Sequence, residues 1–269
     1  VTEPAPRRSQ PTLAEIREIG QPHSIRSRRN AEHWTAQVYG RRISPYLTLV
    51  ALRLGLSANA VTWVMLAVGW LAAAAVATPG WGFAVLAVVL AHLQMVVDSS
   101  DGEVARLTRT SGPVGIFIDK LAHYTTEALV ALALGVRAAG GWGEVGDHLL
   151  WTTVGGLFAT VLLLNKVVND LVVSSRAQGG LPPARDAADV AAPRSGGVAR
   201  LRRAARFVPF HRMFHAVELC TVVAVAAVAD ALLGRDDVTR WTLVGLTVAV
   251  AVTGVGHVLA IMTSSRLRP

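Results

Sequence analysis

Residues 98–123 read DSSDGEVARLTRTSGPVGIFIDKLAH, between two apolar stretches. Asp98 and Asp101 stand three apart and would share one face of a helix, while Asp119, His123 and Glu127 follow at spacings of four and would share one face of the next. Two antiparallel neighbours would then turn a set of carboxylates and an imidazole toward each other. An unpaired ionised Asp near mid-membrane costs about 2.5–3.5 kcal/mol, and mutual repulsion adds to that. A divalent cation removes both penalties, and hard carboxylate oxygens suit Mg²⁺ or Mn²⁺. Simple pairing of the aspartates with Arg106, Arg109 and Lys120 is the plainer alternative. Three acids converging from two helices exceed what such pairing needs.

The elements that must position these residues are apolar helices. The chain has 269 residues, 52% hydrophobic and 16% charged, with a mean hydropathy of +0.43; soluble domains carry about 25% charged residues. Stretches 58–78, 83–97 running on towards 105, 148–173 and 216–233 approach or exceed the roughly 20 residues that cross a bilayer. Stretches 114–136 and 241–263 are apolar with isolated polar insertions. The expected fold is all-α, a polytopic membrane protein of six transmembrane helices over 57–265. Residues 1–29, rich in Pro, Arg, Ser and Gln, read as a mobile N-terminus. Residues 30–56 mix aromatic, aliphatic and Arg residues as an interfacial amphipathic segment on the cytosolic leaflet does, with Pro45 breaking it. Residues 174–205, dominated by Gly, Pro and Ala, read as a flexible cytosolic loop.

The net charge of +8 is distributed by topology. Arginines crowd the segment before position 57 and the stretch 176–212, while alternate connections are poor in them. Positive loops stay cytoplasmic, so both termini and the 98–112 segment are expected in the cytosol. Residues 1–40 lack an apolar core of signal-peptide type, so the N-terminus is expected to be neither cleaved nor exported. The basic excess then serves orientation and attraction to anionic membrane lipid. No basic module interleaved with aromatics appears, which argues against nucleic acid as a partner. Cys220, the sole cysteine, lies in an apolar run and reads as packing.

The segment 98–123 resembles the signature of the CDP-alcohol phosphotransferases, membrane enzymes that exchange CMP for an alcohol. That pattern is D-x-x-D-G-x-x-A-R, eight residues, then G-x-x-x-D-x-x-x-D. Asp98, Asp101, Gly102, Ala105, Arg106, Gly115 and Asp119 match at the correct spacing, and His123 stands where the family has its last aspartate. SANAVT at 57–62 also looks like a short motif at the start of the family's first transmembrane helix, with Asn59 and Thr62 in place. The resemblance covers most of the chain beyond residue 30. It implies an inner-membrane enzyme of bacterial type, with its active site cytosolic. It would transfer a phosphatidyl or other phosphoalcohol group from a CDP-alcohol such as CDP-diacylglycerol to a hydroxyl of a polar acceptor. It also implies a homodimer, the family's common state.

The resemblance further implies that Asp98, Asp101 and Asp119 hold two divalent ions, Mg²⁺ or Mn²⁺, that bind the diphosphate. Asn59, Thr62, Gly102, Ala105, Arg106 and Gly115 would form the nucleotide site. Gly102 would admit the nucleotide to the backbone or allow close helix packing, and Arg106 would pair with phosphate oxygens or orient an aspartate. His123 would act as general base, with Glu127 holding its imidazole. Glu103, in DGEVAR, is reminiscent of branches that handle inositol phosphates or other polar CDP-alcohols. Lys166, Asn169 and Arg212, with Asn165, Asp170 and His211 nearby, would receive the acceptor; snorkelling Lys166 and Arg212 with a Lys166–Asp170 pair is the plain alternative. The competing readings are a CDP-lipid or metal binder on the same scaffold that performs no chemistry, and a transporter. A transporter would need charges along a pathway and a broken-helix repeat, which the sequence lacks.

Overall fold

Polar and small residues punctuate the apolar runs, and they set where each helix begins and ends. The computed structural model describes residues 11–23, 34–182, 212–235 and 237–267. Among these the chain forms no strand. In order come α1 (Leu13–Gly20), a π-helical turn at Ala36–Gly40, α2 (Arg41–Arg53), α3 (Ala58–Ala77), α4 (Trp81–Thr108), α5 (Pro113–Ala139), α6 (Leu149–Gln178), α7 (Ala216–Leu233) and α8 (Asp237–Thr263). Five of them, α3, α4, α6, α7 and α8, are long and apolar enough to cross a membrane. α5 is 27 residues long, roughly 40 Å of helix, but it carries Asp119, Lys120, His123, Glu127 and Arg137 and falls short of that apolarity.

The chain divides into two compact units. One comprises residues up to Gly69 with Val89–His123, the other Trp70–Val88 with the chain from Tyr124 onward. In the first unit, Ala51, Ala58, Val61, Met65, Leu66, Val97, Val104 and Ala122 form a buried apolar cluster. In the second, α5 crosses α6 at two glycines. A Cβ on Gly135 would stand 2.7 Å from Gly155 Cα, and one on Gly155 would stand 2.6 Å from Gly135 Cα. Only a residue without a side chain permits that approach.

The turn from α4 to α5 matters most for the acids. Arg109 adopts the left-handed region, φ 56°, and Thr110 N–H returns to Ala105 O at 2.9 Å. Together they end α4 as a left-handed cap does. Pro113 then occupies the first helical position of α5, where its missing N–H costs nothing. Four residues therefore reverse the chain and bring Asp119 back alongside the acids of α4.

Two features of the N-terminal region depart from the sequence expectation. Within the stretch read as mobile, residues 13–20 form α1. Thr12 and Glu15 make a capping box: Glu15 N–H donates to Thr12 Oγ1 at 3.3 Å, and Thr12 N–H donates to Glu15 Oε2 at 2.7 Å. Those bonds from the backbone and hydroxyl of Thr12 hold the Glu15 carboxyl below the usual carboxylate range. Ile16 is fully buried. The rest of that stretch, 1–10 and 24–29, lies outside the described residues, as does 183–205 of the loop expected at 174–205.

Pro45, expected to break the 30–56 segment, lies inside α2. It leaves the Arg41 carbonyl without its helical partner, and Gln21 Nε2 donates to that oxygen at 2.8 Å. The same amide reaches the buried carboxylate of Glu103 on α4 at 2.8 Å, as do Ser44 Oγ at 2.5 Å and Thr48 Oγ1 at 2.6 Å. Glu103 therefore fastens α1 and α2 to α4, which differs from the polar-substrate association its sequence context suggested.

Replacing Thr12 by Ala removes one cap worth about 1 kcal/mol. Hydrogen exchange of amides 13–20 should accelerate several-fold while exchange in α3 stays unchanged. Unaltered exchange over 13–20 would contradict the role given to the cap.

Candidate metal and nucleotide site

Asp98, near the end of α4, and Asp119 and His123, on the first turns of α5, converge. One ligand atom from each lies within 4.8 Å of the others. His123 Nε2 stands 3.3 Å from Asp98 Oδ1 and 3.5 Å from Asp119 Oδ1. All three side chains are partly exposed, at 26%, 42% and 27% for Asp98, Asp119 and His123, so solvent or a ligand reaches them. Two hard oxygens and one imidazole nitrogen in this arrangement could hold a metal ion.

Asp101 is turned to a different partner. Thr62 Oγ1 donates to its Oδ2 at 2.7 Å. Thr62, expected to hydrogen-bond a nucleotide, is buried and orients this carboxylate. Beside the pair opens a cavity of about 190 Å³, lined by Asn59, Thr62, Asp101, Gly102, Ala105, Gly115 and Asp119 among others. A Cβ on Gly115 would sit 3.4 Å from Asn59 Oδ1, an ordinary contact, so packing does not demand glycine at this position.

Arg106 takes a role of its own. Its Nε donates to Gly20 O at 2.6 Å, at the end of α1, and its guanidinium lies over Gly102, where a Cβ would come within 3.1 Å of Nη1. The residue that profits from the missing side chain at 102 is thus Arg106 itself. Sequence reasoning placed both residues at the site but not this mutual packing.

Glu127, one turn beyond His123 on α5, was expected to hold that imidazole. In the second unit its carboxylate, 2% exposed, is gripped instead by Lys166 Nζ at 2.5 Å and His215 Nδ1 at 3.1 Å. A carboxylate this deeply buried requires a cation, and Lys166 supplies it. Lys166, expected to receive an acceptor, is thus committed to Glu127. Asp170, the alternative partner for Lys166, accepts from Tyr124 Oη at 2.9 Å, and Asn165 Oδ1 meets His257 Nδ1 at 2.8 Å. Asn169 is exposed. Arg212 opens a short 3₁₀ turn to Phe214; its side chain, and His211 altogether, lie outside the described part. His215 had not been singled out. It stands just before α7, and only its place beside an apolar run hinted at a polar partner inside the bundle.

No protein-family model matches the chain, and no curated protein matches it either.

Lys166→Met leaves Glu127 buried with His215 alone. It should lower stability by about 3–5 kcal/mol, read as thermal unfolding in detergent, and Glu127→Leu added to it should restore most of the loss. A double variant as unstable as the sum of its singles would show that the pair is not coupled.

Proposed function

We propose that the chain is a six-span integral membrane enzyme that transfers a phosphoalcohol group from a CDP-alcohol to a hydroxyl acceptor and releases CMP. The carrying observation is the convergence of Asp98, Asp119 and His123 beside the cavity lined by Asp101, Gly102, Ala105 and Gly115. Those positions belong to the segment 98–123 that resembles the signature of the CDP-alcohol phosphotransferases. Five apolar helices support membrane insertion, and α5, long enough to span, is the sixth. Its charged residues find partners inside the protein, as intramembrane charges must. The arginine distribution favours termini and an α4–α5 turn on the cytosolic side, and the resemblance points to an inner membrane of bacterial type. α2, with exposed Ile43, Tyr46 and Val50 among its arginines, lies on that leaflet.

The donor set fits Mg²⁺ or Mn²⁺: Asp98 and Asp119 would hold one ion, and Asp101 would be available to another. When bound, such ions would neutralise a diphosphate and stabilise the departing CMP. The chain's own residues do the rest. Thr62 fixes the Asp101 carboxylate, Asn59 and the backbone near Gly102 and Gly115 border the nucleotide, and Ala105 leaves room for it. The acceptor oxygen attacks phosphorus and the bond to the CMP oxygen breaks. Neutral His123 takes the acceptor's proton, and the flanking carboxylates stabilise the imidazolium that forms. The same short distances suit His123 as a nitrogen ligand. His123→Ala separates the two roles, since loss of turnover with metal retained marks a base and loss of both marks a ligand.

The decisive assay measures CMP release from CDP-diacylglycerol against a panel of polar acceptors, including phosphorylated polyols, with Mg²⁺ or Mn²⁺. Release should depend on metal and fall at least a hundredfold in Asp98→Asn. CDP-lipid binding without release for any acceptor would overturn the enzyme and leave the binding protein on this scaffold.

A further inference from the structure

α1 has eight residues, too few to persist as a helix in water without tertiary support. Besides its capping box, it is held by the buried Ile16 side chain and by its C-terminal end, where helix carbonyls need donors from outside. Arg106 Nε donates to Gly20 O at 2.6 Å, and Gln21 Nε2 donates to Glu103 Oε1 at 2.8 Å. A Cβ on Gly20 would stand 3.1 Å from Glu103 Cγ and 3.2 Å from its Cβ. Glu103 is fixed by the donors from Gln21, Ser44 and Thr48 and has little room to yield. A side chain at position 20 would therefore lift α1 from α4.

Glu103 and Arg106 lie three apart, on one face of α4. The residues just before them, Gly102 and Ala105, line the cavity beside Asp101, whereas no residue of α1 lines it. Arg106 joins the two sides. Its side chain runs back along α4, and a Cβ on Gly102 would meet Nη1 at 3.1 Å and Nη2 at 3.2 Å. A guanidinium is planar, so one N–H bonded to a fixed carbonyl restricts where the other two nitrogens stand. With Nε held by Gly20 O, Nη1 and Nη2 are laid over the glycine of the cavity wall. α1, Arg106, Gly102 and the whole cavity belong to the first unit. Contacts thus run without a break from a helix outside the cavity to its wall.

Resting on the CDP-alcohol reaction proposed above, we infer that α1 is a strap coupled to the filling of this cavity, with Gly20 and Gln21 as positioning residues that aim Arg106 at the wall the nucleotide meets. Such coupling is reciprocal: a nucleotide seated against Gly102 tightens α1, and a lifted α1 weakens the nucleotide by the same factor. The test is hydrogen exchange on the full chain in neutral detergent with Mg²⁺, titrated with CDP-diacylglycerol. Amides 110–116 border the cavity and report its filling, while amides 13–21 report α1. Exchange should slow several-fold in both segments with one midpoint. In Gly20→Leu that midpoint, read at 110–116, should rise at least fivefold, with Mn²⁺ uptake by Asp98 and Asp119 unchanged. In an Arg106→Lys background, which lacks Nε, Gly20→Leu should add little further shift. Protection at 110–116 with none at 13–21 would overturn the inference and keep the nucleotide site, whereas protection in neither segment would overturn both. An unmoved midpoint in Gly20→Leu, or a full further shift in the Arg106→Lys background, would also overturn it. Should Gly20→Leu fail to fold, Gly20→Ala should move the midpoint in the same direction by a smaller factor, and an unmoved midpoint there would count equally against the strap.

Discussion

A carboxylate carried among apolar helices must be matched by donors or cations, and α4 and α5 between them carry five. Glu103 collects two hydroxyls and an amide, and in doing so fixes the N-terminal helices. Glu127 takes a lysine and a histidine. Asp101 has the Thr62 hydroxyl. Asp98 and Asp119 stand against each other and converge on one imidazole. The first two acids are satisfied and buried, which makes them structural. The last pair is partly exposed and shares one imidazole, which makes it the place where a cation adds most.

The opening for a cation thus follows from unequal compensation along two helices. The apolar cluster around Val61, Met65, Val104 and Ala122 holds the facing segments of α3, α4 and α5 together. The four-residue turn at 109–112 sets their register. Because Arg109 closes α4 and Pro113 opens α5 at once, Asp119 falls opposite Asp98 rather than a turn above or below it. A longer or looser turn would lose that pairing without changing any of the acids.

Much of this was legible in the sequence. The apolar runs gave the long helices to within a few residues, because apolar composition over such lengths has few other outcomes. Spacing offered the convergence of Asp98 with Asp119 and His123, but it put Asp101 and Glu127 on the same faces, and these turn to Thr62 and to Lys166 and His215. What the sequence hid were partnerships between distant residues. Glu103 and Gln21 are 82 positions apart, and Glu127 and His215 are 88 apart; no local pattern links them. Glu127 is instructive, since its spacing from His123 suggested a local partner where burial demanded a remote cation. α1 was readable in principle, because T-x-x-E before an apolar residue is a helix-start signal. The composition of its surroundings outweighed that signal.

Binding of Mn²⁺ to the purified chain, followed by electron paramagnetic resonance of the free ion, tests the central claim most directly. Wild-type protein should take up Mn²⁺ saturably, and Asp98→Asn and Asp119→Asn should each weaken uptake at least tenfold while Glu103→Gln leaves it unchanged. Absence of saturable uptake, or uptake indifferent to Asp98 and Asp119, would contradict a cation held between these two helix ends.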